Sequence, residues 1–174
     1  MYRLAKKSFL ITLCFILFLF SSVSKASIPQ SEMQLGGVNL KDSIAYIKSI
    51  YGEPKRTETK NMTIWGGRTQ FYNYYFGNGS FSVCEHKSQG VLSILTNANN
   101  GIKTRAGITV GMSKDAMIRT YGNPDESFTN PDDGATIYVY NQRSNQRGTT
   151  DSLNFAVIND KISRIYLSAA ILSI

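Results

Sequence analysis

The single histidine of the chain, His86, follows a cysteine by two residues in the run Cys84-Glu85-His86. Residues two apart on a β-strand point to the same face, so this thiol and imidazole could form a nucleophile–base pair or hold a metal ion. Their Cβ atoms are then roughly 7 Å apart, which is beyond direct contact unless the side chains converge. A zinc site needs two further ligands, and the only other cysteine, Cys14, lies in an apolar leader. We therefore expect neither catalysis nor metal binding at this run.

Adjacent carboxylates at Asp125-Glu126 and Asp132-Asp133 are the other groups suited to acid–base chemistry. Both pairs lie near proline or glycine, where short acidic residues favour turns. The sequence around them does not indicate the apolar pocket that a proton-donating carboxyl group needs. Ser113 has no matching histidine and suits the N-cap of a helix. The glycines lack the spacing of a phosphate-binding loop. The sequence predicts a protein without enzymatic activity, cofactor or metal.

Residues 1–26 have the three-part pattern of a secretory signal peptide. Basic residues precede an apolar core from about Phe9 to Phe20, and small and polar residues lead to Ala26. A membrane anchor is the alternative, but it needs roughly 20 apolar residues, more than this core offers. We expect an exported protein, periplasmic or extracellular, that begins at Ser27 and has no transmembrane segment.

Removal of the leader changes the charge and the cysteine content. The 174-residue chain has a formal charge of +7, and loss of four basic residues leaves 15 basic against 12 acidic residues, or +3. This excess is too small and too scattered to indicate nucleic-acid binding. Cys84 is then the only cysteine, so no intrachain disulfide is possible and the fold must depend on a hydrophobic core.

Two stretches of the chain carry the same series of local signals. Each predicts a short helix that begins at a polar cap, Ser43 (or Asp42) and Ser113, and ends at Tyr-Gly-x-Pro. Glycine accepts a positive φ at a helix end, and proline prevents the helix from continuing. Apolar residues then alternate with period two, as on β-strands. The predicted strands are 56–64, 68–76, 80–85, 91–96, 135–141, 152–158 and 161–169.

These signals predict an α+β fold of two tandem repeats, each a short helix packed on a three- to four-stranded antiparallel meander. The predicted divisions are a signal peptide at 1–26, a lead-in at 27–35, a first repeat at 36–98, a linker at 99–106 and a second repeat at 107–174.

The string Gly-Ile-Thr-Val-Gly-Met-Ser at 107–113, with Tyr-Gly-Asn-Pro at 121–124, resembles a motif of small exported bacterial modules. It is similar to the β-lactamase inhibitor protein superfamily and to the small outer-membrane assembly lipoproteins (SmpA/OmlA-like). The resemblance implies helices on antiparallel sheet and, for the inhibitor type, a concave surface that binds another protein. This sequence lacks both a lipid-modifiable cysteine after the leader and a cysteine pair within each unit.

Aromatic residues supply the candidate binding surface. In the segment 71–76, Tyr72, Tyr74 and Phe76 point to one face of the predicted strand, while Phe71 and Tyr75 point to the other. A strand with one solvent-exposed face should alternate apolar with polar residues. This strand has aromatic residues on both faces, so we expect both faces to be covered. The cover is either the rest of the chain or a partner protein, since tyrosine and tryptophan are enriched at binding hot spots. The predicted partner-binding residues are Trp65, Tyr72, Tyr74, Phe76, Tyr138, Tyr140 and Arg143.

The sequence thus predicts an exported, non-enzymatic protein-binding module whose partner is another exported or envelope protein. The alternatives are a structural cell-envelope factor related to the assembly lipoproteins and, third, a hydrolase.

Overall fold

The computed structural model describes residues 28–64, 67–142 and 151–169. These ranges contain two α-helices, α1 (Ile44–Tyr51) and α2 (Lys114–Tyr121), and a 3₁₀ turn at Gln30–Glu32. They also contain ten β-strands: β1 (Gln34–Leu35), β2 (Val38–Asn39), β3 (Arg56–Ile64), β4 (Gly67–Phe76), β5 (Phe81–His86), β6 (Gly90–Thr96), β7 (Glu126–Thr129), β8 (Thr136–Asn141), β9 (Ser152–Ile158) and β10 (Lys161–Ser168).

The helices begin and end at the residues that local chemistry indicates. The Ser43 hydroxyl accepts a hydrogen bond from the backbone N–H of Tyr46, and the Ser113 hydroxyl accepts one from that of Ala116, each at 3.2 Å. Both hydroxyls satisfy amides that have no partner within the helix. Each helix is 8 residues long and ends at a glycine with φ near +75°. The predicted caps and stops are confirmed.

Eight strands form one antiparallel sheet in the order β3-β4-β5-β6-β10-β9-β8-β7. Its centre is the pairing of β6 with β10, in which Leu167 lies opposite Ile94 and Ile165 lies opposite Thr96. β1 and β2 pair separately as a two-stranded ribbon.

The predicted fold class is therefore wrong. Ten strands and two short helices make the described part mostly β, and the predicted meanders are not two helix-on-sheet repeats, because β6 and β10 join them into a continuous sheet. The physical reason lies at the strand edges. Each meander alone would leave the backbone groups of its last strand unpaired, and pairing β6 with β10 satisfies them.

Most of the main hydrophobic core lies on one side of the large sheet, which we call the helix face; Phe71 on the other side also belongs to the cluster. Tyr51 of α1 contacts Phe81 with ring centroids 4.7 Å apart, and Tyr121 of α2 contacts Tyr140 at 5.5 Å. Met33 from the expected lead-in and Ile102 from the expected linker join the same core cluster. Both helices thus cover one side of the sheet and leave the other side, the open face, without either of them.

Within the described ranges, no helix combines the length and the apolar character needed to span a bilayer.

Candidate functional site

The open face carries a diagonal band of apolar side chains from one edge strand to the other. Strand register places the band residues on the same side of the sheet, because paired residues point to the same face. In sheet order they are Met62, Phe71, Cys84, Leu95, Tyr166, Ala156, Ile137 and Phe128.

The ends of this apolar band are open to solvent. Met62 on β3 is 50% exposed and Phe128 on β7 is 53% exposed. Between them, Leu95 and Tyr166 are half-buried, and Phe71, Ala156 and Ile137 are buried. Single exposed apolar residues are common on protein surfaces, whereas larger apolar patches rimmed by polar groups are typical of interaction surfaces.

Two hollows interrupt the apolar band. One has a volume of about 300 Å³ and is bounded by Met62, Phe71, Cys84 and Leu92, with Lys60 and Asn73 among its polar residues. The other has a volume of about 340 Å³ and is lined by Leu95, Phe128, Asn130, Ile137, Arg164 and Tyr166. Each hollow is large enough to receive a side chain from a partner.

Two arginines beside the apolar band are held in ion pairs. The Arg56 guanidinium lies 2.7 Å from a Glu58 carboxylate oxygen and 4.0 Å from the centroid of the Tyr75 ring. The other Glu58 oxygen accepts a hydrogen bond from the Tyr75 hydroxyl at 3.0 Å. At the opposite side of the face, the Arg164 guanidinium binds Asp133 and lowers the pKa of that carboxyl. These pairs fix the polar rim of the band.

Cys84 and His86 share the open face, as the strand alternation predicts. Burial raises the pKa of the Cys84 thiol, which keeps it protonated at neutral pH. The His86 ring packs on Phe71 with centroids 5.4 Å apart, and the Thr69 and Ser88 hydroxyls contact its two nitrogens. Both ring nitrogens are thus engaged by hydroxyls, and this geometry does not activate the thiol.

The predicted tyrosine patch lies on the helix face rather than on the open face. Phe76 is 2% exposed and Tyr140 is 0% exposed, and both contact the tyrosine that ends the nearby helix. Their assignment as surface-binding residues is wrong, because the helices cover them.

The other predicted tyrosines are half-buried. Tyr74 and Tyr138 pack against the main core. The Tyr74 hydroxyl donates a hydrogen bond to Glu85 at 3.0 Å, and burial together with this carboxylate raises the pKa of Tyr74 to about 12. Tyr72 bonds to Gln70 on the same strand. Trp65 and Arg143 lie outside the described residues.

Sequence reasoning missed Phe128 at the far end of the apolar band. Its strand, β7, is only 4 residues long, and every residue in it is exposed. A single apolar residue in so short a strand gives no readable alternation. Met62 was within a predicted strand, but nothing in its spacing distinguishes an exposed methionine from a core one.

No protein-family model matches the chain, and a search of curated proteins finds no match. Three solved structures are similar over 83% of this chain. The DUF4309 family protein YjgB of Bacillus subtilis is 19% identical, with 88% of its own chain covered and a TM-score of 0.44. The uncharacterized protein YfeY of Escherichia coli is 13% identical, with 99% covered and a TM-score of 0.44.

The third similar structure, from Streptococcus mutans, is provisionally described as a beta-lactamase inhibitor protein. It is 17% identical, with 90% of its own chain covered and a TM-score of 0.29. One of the three neighbours is thus described in the terms of the inhibitor-type resemblance, and none is described as an assembly lipoprotein. Identities and TM-scores this low carry no functional conclusion, so the proposals below depend on the geometry of this chain.

Proposed function

We propose that this chain is an exported, non-enzymatic protein-binding module that binds its partner through the open face. The observation that carries the proposal is the band that ends in Met62 and Phe128, two large apolar side chains that are each at least half exposed. Leaving so much apolar surface in water is unfavourable by about 25 cal/mol per Å², and a partner that covers the band recovers this energy.

The chemistry of the band defines the partner. An apolar centre with a polar rim, interrupted by hollows, suits a protein that inserts apolar or aromatic side chains and covers the rim with polar groups. The leader directs the chain out of the cytoplasm, so the partner is another exported or envelope protein. A non-enzymatic role is consistent with a Cys84 thiol of raised pKa and a His86 ring held by hydroxyls.

A truncation of Phe128 tests this proposal. The partner is captured from envelope and medium fractions with the wild-type protein, identified by mass spectrometry, purified and titrated against each variant. We expect Phe128→Ser to weaken binding by about 30-fold or more, which corresponds to the loss of roughly 2 kcal/mol at a hot spot.

Ile50→Ser is the matched control, because Ile50 on α1 is 45% exposed but lies on a helix rather than in the band. We expect its affinity to stay within about twofold of the wild type, as for a residue outside an interface. Equal affinities for the two variants would contradict the proposal. A much lower thermal midpoint for Phe128→Ser than for Ile50→Ser would also contradict it, since Phe128 would then pack within the folded chain.

A further inference from the structure

The edge strand β3 is long, regular and exposed. It pairs with β4 through nine consecutive residue pairs, from Arg56 opposite Tyr75 to Ile64 opposite Gly67. As the first strand in the sheet order, it turns its other side away from the sheet. The sequence 56–64 has no proline and no bulge, two of the devices that prevent a sheet edge from pairing with another strand. Its charged residues, a third such device, are of both signs and can pair with each other.

Symmetry limits how two copies of this edge can pair. In an antiparallel pair related by a twofold axis, only every second residue of β3 turns its N–H and C=O outward. Residues that lie directly opposite each other must both turn these groups outward or both turn them inward. Their numbers are therefore both even or both odd, and the twofold axis passes through a residue rather than between two residues. Each possible register is then named by the residue that meets its own copy.

Charge and the length of the strand overlap decide between these registers. With the axis on Glu58, that carboxylate meets its own copy and Arg56 lies opposite Lys60. With the axis on Lys60, two ammonium groups meet. Like charges directly opposite each other on neighbouring strands destabilise the pair. The axis on Thr59, between these two, places Glu58 of each copy opposite Lys60 of the other, which forms two opposite-charge pairs. An axis on Thr57 would pair Glu58 with Arg56 instead, but it overlaps only residues 56–58 of the two strands, whereas the axis on Thr59 overlaps residues 56–62.

The remaining pairs in this register are also favourable. Thr59 meets its own copy, and Thr57 meets Asn61, so hydroxyl and amide groups that can bond to each other stand opposite one another. Arg56 lies opposite Met62 of the second copy, where the aliphatic part of the arginine can cover a methionine that is 50% exposed in the single chain.

The charged groups concerned are available. Lys60 is exposed, and among the described residues no carboxylate forms an ion pair with it. Glu58 holds Arg56 with one oxygen and the Tyr75 hydroxyl with the other, and a carboxylate can accept further bonds.

We propose that two copies of this chain form a symmetric dimer through their β3 edges, in the antiparallel register centred on Thr59. The two eight-stranded sheets then become continuous, and both open faces lie on the same side of the joined sheet. This site is the edge of the sheet, and it does not depend on the partner-binding role of the open face.

A charge-exchange experiment tests the pairing. Lys60→Glu places two carboxylates opposite each other at both symmetric positions, and Glu58→Lys places two ammonium groups there. Analytical ultracentrifugation of the exported protein over a concentration series should show a dimer for the wild type. Each variant alone should dimerise at least about tenfold more weakly. An equimolar mixture of the two variants should recover the dimer, because each Glu then meets a Lys.

Disulfide cross-linking tests the register without altering these charges. In a Cys84→Ser background, Thr59→Cys should oxidise to a covalent dimer, because residues directly opposite have Cβ atoms about 5 Å apart. Thr57→Cys is the matched control: it lies opposite residue 61, so the two sulfurs are offset by four residues, or about 13 Å along the strands. A wild-type monomer at every concentration would overturn the proposal, as would equal cross-linking at both positions. If the wild type is monomeric, the β3 edge would be free to pair with a strand from another protein.

Discussion

Tyr121 has an ionisation that couples to folding. Its hydroxyl lies 2.8 Å from the Thr104 hydroxyl in the core, and burial, reinforced by the Glu32 carboxylate, raises the pKa of Tyr121 to about 12. In the unfolded chain the pKa is near 10. The stabilising contribution of neutral Tyr121 is thus fully present below pH 10 and is lost as the pH rises toward 12.

We predict that the free energy of unfolding decreases between pH 10 and 12, with Tyr121 contributing about 2 kcal/mol of the decrease. Tyr121→Phe should remove this contribution from the alkaline slope. It should also lower the stability at neutral pH, because the buried hydrogen bond from the Tyr121 hydroxyl to the Thr104 hydroxyl is lost. Urea denaturation at a series of pH values measures both effects. An unchanged alkaline slope in Tyr121→Phe would show that the hydroxyl ionises equally in both states.

Gly90, at the start of β6, is required for a close approach of two backbone segments. Its φ is +73°, and a Cβ built there would lie 2.8 Å from the Lys41 carbonyl oxygen. That loop cannot easily move, because the Lys41 N–H donates to the Val91 carbonyl at 2.8 Å and the Val91 N–H donates to the Asp42 carbonyl at 3.3 Å.

We predict that Gly90→Ala destabilises the protein at least about 1 kcal/mol more than Gly101→Ala, since only the first adds a backbone clash to the strain of positive φ. Gly101 is the matched control: its φ is +84°, and a Cβ there meets no atom within 4 Å. Urea denaturation of both variants gives the difference. Equal losses would show that the Lys41 loop yields without cost.

At the level of elements, local signals predicted most boundaries. The strand at 152–158 and the lead strand at 56–64 have the predicted bounds, and both helices end at the predicted Tyr-Gly stops. These boundaries depend on caps, turns and alternation, which are written in neighbouring residues. Strands of two to four residues, such as β7, were missed because they are too short to show a period.

Alternation also has a limit at the candidate site. It correctly separates Tyr72, Tyr74 and Phe76 from Phe71 and Tyr75 along β4. Alternation does not predict which face of the sheet the helices will cover, because that depends on packing between segments distant in sequence. The aromatic face that sequence reasoning assigned to a partner is the one packed beneath α1 and α2, and the exposed sheet residues Met62 and Phe128 lie on the other side.

For the whole molecule, the decisive feature is the pairing of β6 with β10, two strands about seventy residues apart. Such pairing gives hydrogen-bond partners to the backbone groups at the strand edges and joins two apolar surfaces. It cannot be predicted from a local sequence pattern, because the two strands are far apart in the chain. Its consequence is a shared core: Ile94 of the first half and Leu167 of the second are both 0% exposed in the same cluster. The halves therefore stabilise each other across the centre of the sheet.

We predict that the chain from residue 27 onward unfolds in one cooperative transition, because breaking the β6–β10 pairing exposes the core of both halves together. The calorimetric and van't Hoff enthalpies should agree, and circular dichroism in the far and near ultraviolet should give the same midpoint. A chain limited to residues 27–106 should show no cooperative transition, since β6 then loses its partner strand and Ile94 loses its cover. Two resolved transitions in the full chain, or cooperative melting of the shorter one, would show instead that each half folds on its own core.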